Sequence, residues 1–309
     1  MKKLNMFILL MSLALFIVTP AASAKNWSVP AHFPTIQAAI DDPAVREGDR
    51  ILVGPGNFAV ALITKRVEIK GIGGATIESG PAHPRGLIQG FRLMEKSSGA
   101  TISHLIFKVD LAIMNGAAAH SVTVTHCTFL NPVQAVSNWR GSAWNITQND
   151  IIDLRTSNGG GIGILIGDYT GGIVSDNVVE HNKISGILTS MPEEKGGYNG
   201  SGIVLYADFR GSLGAESIEK NRVVKNKVSL VSQAAARVDA VAFEMTDTRD
   251  NGSLIPVIVD NAVGFNDFRG TVLQIVLTPS NLDVSNVISR NLGENRGHGV
   301  HPAAFGPEN

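Results

Sequence analysis

Apolar residues along this chain come in short runs of strand length, each closed by a turn residue, and not in the broad stripes that helices bury. Ile162-Gly163-Ile164-Leu165-Ile166-Gly167 ends at Asp168, Ile203-Val204-Leu205-Tyr206-Ala207 ends at Asp208, and Ser121 to Phe129 reads as a further strand-like stretch. Many short strands with frequent turns predict an all-β chain. Two stretches break this pattern. Thr35-Ile36-Gln37-Ala38-Ala39-Ile40 is predicted to be a helix, opened by a capping Thr and stopped before Pro43. Near the start, Lys2 and Lys3 precede an apolar run from Met6 to Val18, interrupted by Ser12 alone, and then Ala22-Ser23-Ala24, the pattern of a signal peptide with an A-x-A cleavage site. The run is shorter than the ~20 residues a membrane span needs, and no second run of that length follows.

The polar positions repeat as well. Four segments share the spacing N-x-h-x-x-N-x-h, where h is apolar: Asn177 with Asn182, Asn221 with Asn226, Asn261 with Asn266, and Asn286 with Asn291, the last with Gly293 in the final apolar place. His126 and Asn131 show the same five-residue spacing, and Asn149 and His104 extend the first column. Reading His104, His126, Asn149, Asn177, Asn221, Asn261 and Asn286 as one row gives intervals of 22, 23, 28, 44, 40 and 25 residues. Three short strands and their turns fill the shortest interval, and longer ones are coils with insertions at a turn. The expected fold is therefore a right-handed parallel β-helix. A short N-terminal helix is expected to cap it, since an uncovered solenoid end exposes strand edges. Expected boundaries are a signal peptide at 1–24, the cap at 25–49, the β-helix at 50–295 and an irregular tail at 296–309.

The Asn rows have a physical reason. Asn bonds its own backbone at turns and tolerates left-handed conformations, and stacked carboxamides can bond one another from coil to coil. A third column lies upstream in each coil, at Asn115, Asn138, Asp168, Asp208, Asp247 and Asn281.

Charge and composition narrow the partners. The formal net charge is -1, from 26 basic and 27 acidic residues, and without Lys2 and Lys3 it is more negative. No basic stripe suggests nucleic acid. Cys127 is the single cysteine, so no intrachain disulfide can form. Its strand-like setting suits a small packed side chain better than a nucleophile.

The stretch Phe33-Pro34-Thr35-Ile36-Gln37-Ala38-Ala39-Ile40, followed by Gly48-Asp49-Arg50-Ile51-Leu52-Val53-Gly54-Pro55-Gly56-Asn57-Phe58, resembles the opening of exported β-helix proteins, among them pectinesterases, pectate-lyase-like proteins and periplasmic β-helix repeat proteins. Val67-Glu68-Ile69-Lys70-Gly71-Ile72-Gly73-Gly74 and Ala75-Thr76-Ile77 continue the likeness. It implies that the helix caps the solenoid and that the strands form its first coils. Such proteins commonly carry a Glu just after the aromatic that matches Phe58, where this chain has Ala59. The resemblance thus implies a fold and no particular activity.

Polysaccharide-cleaving members of that superfamily draw carboxylates, bases and sometimes calcium from neighbouring coils. Asp168, Asp208 and Asp247 are expected on one turn of three consecutive coils, where they could share Ca2+ or perturb one another's ionisation. Arg140, Arg210 and Arg249 each follow a column residue by two. The candidate catalytic set is Asp168, Asp208, Asp247, Arg140 and Arg210, against the plainer reading of an Asp and Arg network over Asx turns. Trp139 and Tyr169 are candidate rings for stacking on a sugar, while Phe209 and Phe268 read as packing. Loops at Thr189 to Ser201 and Arg249 to Leu254 could wall a cleft. Gly297-His298-Gly299 matches a polygalacturonase triplet but lacks its companion motifs. The expected function is to bind or process a polysaccharide or oligosaccharide, an acidic one being a candidate, outside the cytoplasm. A lyase or hydrolase is the enzymatic form of that reading. The alternative is a non-catalytic surface or structural β-helix.

Overall fold

The computed structural model of the chain describes residues 23–208, 216–235, 238–248, 256–297 and 305–306. Residues 1–22, where the signal peptide is expected, lie outside the described residues. Four sheets of ten, nine, seven and three strands hold the described chain, and the pairing between their strands is parallel throughout.

One coil shows how the sequence builds the stack. Thr123–Thr125, Thr128–Leu130 and Gln134–Trp139 contribute one strand to each of the three large sheets. The next coil lays Asn145–Thr147, Asp150–Thr156 and Ile162–Asp168 directly on them. Strand alternation sends every second side chain inward, so the same inward place recurs in each coil. In the ten-stranded sheet that place is held by Ile51, Ile69, Ile102, Val124, Ile146, Val179, Val223 and Val263, all buried. β-branched residues suit this pleated stack, and each buried side chain contributes about 1.5–3 kcal/mol. Rings stack in the same manner: Phe107 and Phe129 lie 5.0 Å apart at 11°, and Phe243 and Phe268 6.2 Å apart at 9°. Phe268 is thus a packing residue; Phe209 lies outside the described residues.

The polar repeat resolves into two ladders. In the first, the Nδ2 of Asn177 donates to Oδ1 of Asn221 at 2.8 Å, and Asn221 to Asn261 and Asn261 to Asn286 follow at 2.9 Å each. In the second, Asn149, Asn182, Asn226, Asn266 and Asn291 do the same at 2.9, 3.0, 3.0 and 2.9 Å. The expected row holds from Asn177 onward, but Asn149 belongs to the other ladder and His104 and His126 to neither. Both histidines have positive φ, at 58° and 53°, as do Gln148, His181 and Lys225, each one residue before a ladder Asn. Their rings stack on the surface at 4.9 Å.

Cys127 holds the ladder place in its coil, its N–H donating to Asn149 Oδ1 at 3.0 Å. The side chain is buried, and burial pushes the thiol up to about 12. Trp144 takes the corresponding place in the first ladder, its N–H donating to Asn177 Oδ1 at 2.8 Å. The second ladder therefore begins with an apolar residue, whereas in the first the Asn138 Nδ2 donates to the same Asn177 Oδ1 at 3.1 Å and the Asn115 Nδ2 reaches Asn138 Oδ1 at 3.4 Å, so side chains of the upstream column continue it into the early coils. Successive members of the second ladder are separated by 22, 33, 44, 40 and 25 residues from Cys127 onward. The bare coil is 22 residues, and the longer coils carry loops and the three-stranded sheet, whose Val174, Ile218 and Ile258 are buried in the main core.

The helix forms at Ile36–Asp41, with Thr35 as N-cap accepting from the Ala38 N–H at 3.0 Å. Ile36, Ala39 and Ile40 are buried in the main core, and the helix packs on Asn26–Val29, Arg50–Val53 and Leu62–Ile63, early strands of their sheets. Stacking begins before the expected boundary at residue 50, since Asn26–Val29 already pairs with Arg50–Val53. It also reaches past 295, because Arg296–Gly297 pairs with Ile275 and Val276. Gly297 thus lies in a strand, while His298 and Gly299 lie outside the described residues.

Candidate functional site

The nine-stranded sheet carries most of the sequence candidates. In Ile162–Asp168 and Tyr198–Ala207 every residue is buried, so both faces of the sheet are covered there. Ile164, Ile166, Ile203 and Leu205 point into the main core. The alternate residues Leu165 and Val204 point outward and join Leu111, Val133, Ile162 and Phe305 in a second apolar cluster. Only Phe305 and Gly306 of the expected irregular tail are described beyond Gly297, and Phe305 is anchored on this outer face.

The three aspartates do not converge on an exposed face. The register pairs Asp168 with Ala207 and Ala207 with Asp247, which leaves Asp208 one residue out of line. Asp168 and Asp208 are buried, and Asp247 is half-buried. The Asp168 carboxylate accepts from the Thr170 N–H at 2.9 Å, the Thr170 hydroxyl at 2.8 Å, the Gly171 N–H at 3.0 Å and the Gly172 N–H at 2.9 Å. A short polar side chain that saturates its own turn in this way is Asx-turn chemistry. The next coil is bound from the backbone, where the Asp208 N–H donates to the Asp168 carbonyl at 2.9 Å. The upstream column is staggered too, because Asn138 pairs with Ile166, two residues before Asp168. Among the described residues, no group of three or more His, Cys, Asp or Glu is placed to hold a metal ion.

Trp139 is fully buried and its ring lies 5.2 Å from Tyr169 in an edge-on contact. Its indole N–H donates to the Phe305 carbonyl at 3.0 Å, so its face is not open to a sugar. Tyr169 is half-buried, with the Arg140 guanidinium 5.9 Å above its ring. Arg140 also reaches the Gly116 carbonyl at 3.4 Å, while its buried Nε has no hydrogen-bond partner. Arg210, Arg249 and the loop from Arg249 to Leu254 lie outside the described residues. Between the strands Lys183–Ser190 and Tyr198–Ala207 the other loop is shorter than expected, and its Glu194 binds the neighbouring coil. Burial opposes ionisation of Glu194, but hydrogen bonds from Tyr198, Gly196 and Asn158 hold its carboxyl below the usual range.

Among the described residues the most perturbed carboxyl is one that the repeat does not mark. Glu244 pairs with Val204 and therefore points outward, yet it is fully buried. Ser201 Oγ lies 2.6 Å away, Thr246 Oγ1 2.7 Å and Asn199 Nδ2 3.4 Å. Burial pushes its carboxyl up to about 7 against these partners, so it changes charge near neutrality. One signal was in the sequence: Glu244 is the only charged residue in Ala240-Val241-Ala242-Phe243-Glu244-Met245. A second missed pair is Asp110, which bonds the Arg155 guanidinium and accepts from the Ile88 N–H at 2.6 Å.

No family model matches the chain, and no solved structure matches it. A cell surface glycoprotein of Methanothermus fervidus is 31% identical over 144 residues, which are 45% of this chain and 22% of that protein. The chain thus spans under a quarter of that relative's length. No described helix is long and apolar enough to cross a membrane.

Proposed function

We propose that this chain is an exported, surface-associated β-helix that binds or scaffolds and does not cleave. The observation that carries this reading is Asp168, the best candidate of the acidic column, whose buried carboxylate already receives four hydrogen bonds from its own turn. Three of these bonds fall on Oδ2 and one on Oδ1, and the group is fully buried, so the carboxylate is committed to holding its own turn and is not presented to a substrate or to calcium at the surface. The apolar run behind Lys2 and Lys3 supports export, and the likeness to a cell surface glycoprotein supports a place outside the cell.

A polysaccharide-processing reading keeps one specific support. Glu244 titrates near pH 7, the range that suits a general acid, although it is buried. One experiment separates the two. The protein is incubated, with calcium and with chelator, against uronate polymers and neutral polysaccharides, and unsaturated ends and reducing ends are measured. The binding reading expects neither to appear under either condition. New ends that vanish in Glu244→Gln would establish the processing reading instead.

A further inference from the structure

The outer face of the nine-stranded sheet holds both the backbone and the side chain of Phe305. Gln134 offers both halves of its carboxamide to Phe305: Oε1 accepts from the Phe305 N–H at 2.5 Å and Nε2 donates to the Phe305 carbonyl at 3.3 Å. A neighbouring strand would satisfy a backbone in the same way. Trp139 adds a second donor to that carbonyl at 3.0 Å. The site is itself fixed, because Gln134 Nε2 also donates to Ser137 Oγ at 2.6 Å and both residues are buried.

The side chain is received as fully as the backbone. Phe305 is only 3% exposed, with Leu111, Val133 and Ile162 in its cluster. His83 meets its ring edge-on at 5.6 Å, and the Arg85 guanidinium lies 5.1 Å over it. An aromatic ring held by aliphatic walls and a cation, with its backbone read on both sides, is peptide recognition by pocket and strand mimicry.

We propose that this is a peptide-docking site for the chain's own C-terminal Phe305, exchangeable with the same residue of a second copy. Docking within one chain and between two makes identical contacts, so the balance is set by effective concentration. Exchange of an identical element is a low-cost route to association, and a tail-to-groove contact links chains head to tail. This inference stands apart from the question of polysaccharide binding.

The test uses the full chain as Phe305→Ala, which empties the site, and a labelled synthetic peptide spanning residues 301–309. The variant should bind the peptide saturably, wild type at least roughly tenfold more weakly because its own tail competes, and neither should bind the peptide with Ala in place of Phe. Sedimentation at rising concentration should show association of wild type and none of Phe305→Ala. If the Ala variant does not fold, Phe305→Leu keeps apolar bulk in the site and should yield to the peptide at lower concentration than wild type does. A folded variant that ignores the peptide, equal binding by wild type, or equal binding of the Ala-substituted peptide each overturns the proposal.

Discussion

Both the Asn ladders and the outer face of the nine-stranded sheet bury polar groups, but they satisfy them differently. In a ladder each carboxamide meets an identical one, as Asn221 meets Asn261 at 2.9 Å. On the outer face unlike groups meet: Glu244 with Ser201 and Thr246, Gln134 with Phe305. Repetition solves the desolvation problem once for every coil. The outer face solves it case by case, with partners brought from elsewhere in the chain.

The largest effect should come from cutting a ladder at its centre. Asn221→Leu removes the acceptor of the Asn177 N–H and of its Nδ2, and the donor to the Val174 carbonyl. Leaving such buried groups unmatched should cost roughly 3 kcal/mol, read by denaturant unfolding. A cost near zero would mean that ladder and outer face do not differ as described.

On the outer face the comparable test is Glu244→Gln. The folded carboxyl titrates at about 7 against an ordinary 4.5, so the folded state binds the proton more tightly than the unfolded chain. Its stabilising contribution is therefore full below about pH 4.5, is lost as pH rises toward 7 and stays lost above. Glu244→Gln should match wild type in acid and exceed it by up to about 3 kcal/mol at pH 8. Thermal melts of the two proteins across pH 4 to 8 check this, and parallel curves would refute it.

The smallest effect should sharpen the ladder register. Cys127 stands in the ladder, its N–H on Asn149 Oδ1 and its Sγ 3.8 Å from the Ile102 carbonyl. Cys127→Asn should extend the ladder by one rung and change stability by less than about 1 kcal/mol, measured by thermal unfolding. A collapse of the fold would show that the apolar start of the ladder is required.

This division also decides what the sequence disclosed. The parallel stack, the capping helix at Thr35 and the row from Asn177 to Asn286 were legible, because each rests on a repeated or local rule. Asn149 was assigned to the wrong row because Trp144 and Cys127 replace Asn in the early coils. The aspartate column failed as a surface site for a related reason. Spacing in sequence gave Asp168, Asp208 and Asp247 nearly equal intervals, but a one-residue register offset and burial depend on what covers the sheet. Glu244 and Gln134 occur once each and depend on partners far along the chain, as with Phe305, 171 residues from Gln134. No periodicity announces such pairs.

The ladders also give the molecule an electrical polarity. In every rung the N–H groups of one coil point to the Oδ1 of the next, from Cys127 to Asn291 in the second ladder. The carboxamide dipoles therefore add along the solenoid axis, with their positive ends toward the last coil, much as peptide dipoles add in an α-helix. Aligned bonds of this sort polarise one another. At the final rung the Asn291 N–H finds no further Asn, and donates instead to the carboxylate of Glu294 at 3.1 Å. An anion thus terminates the row where its field is most positive.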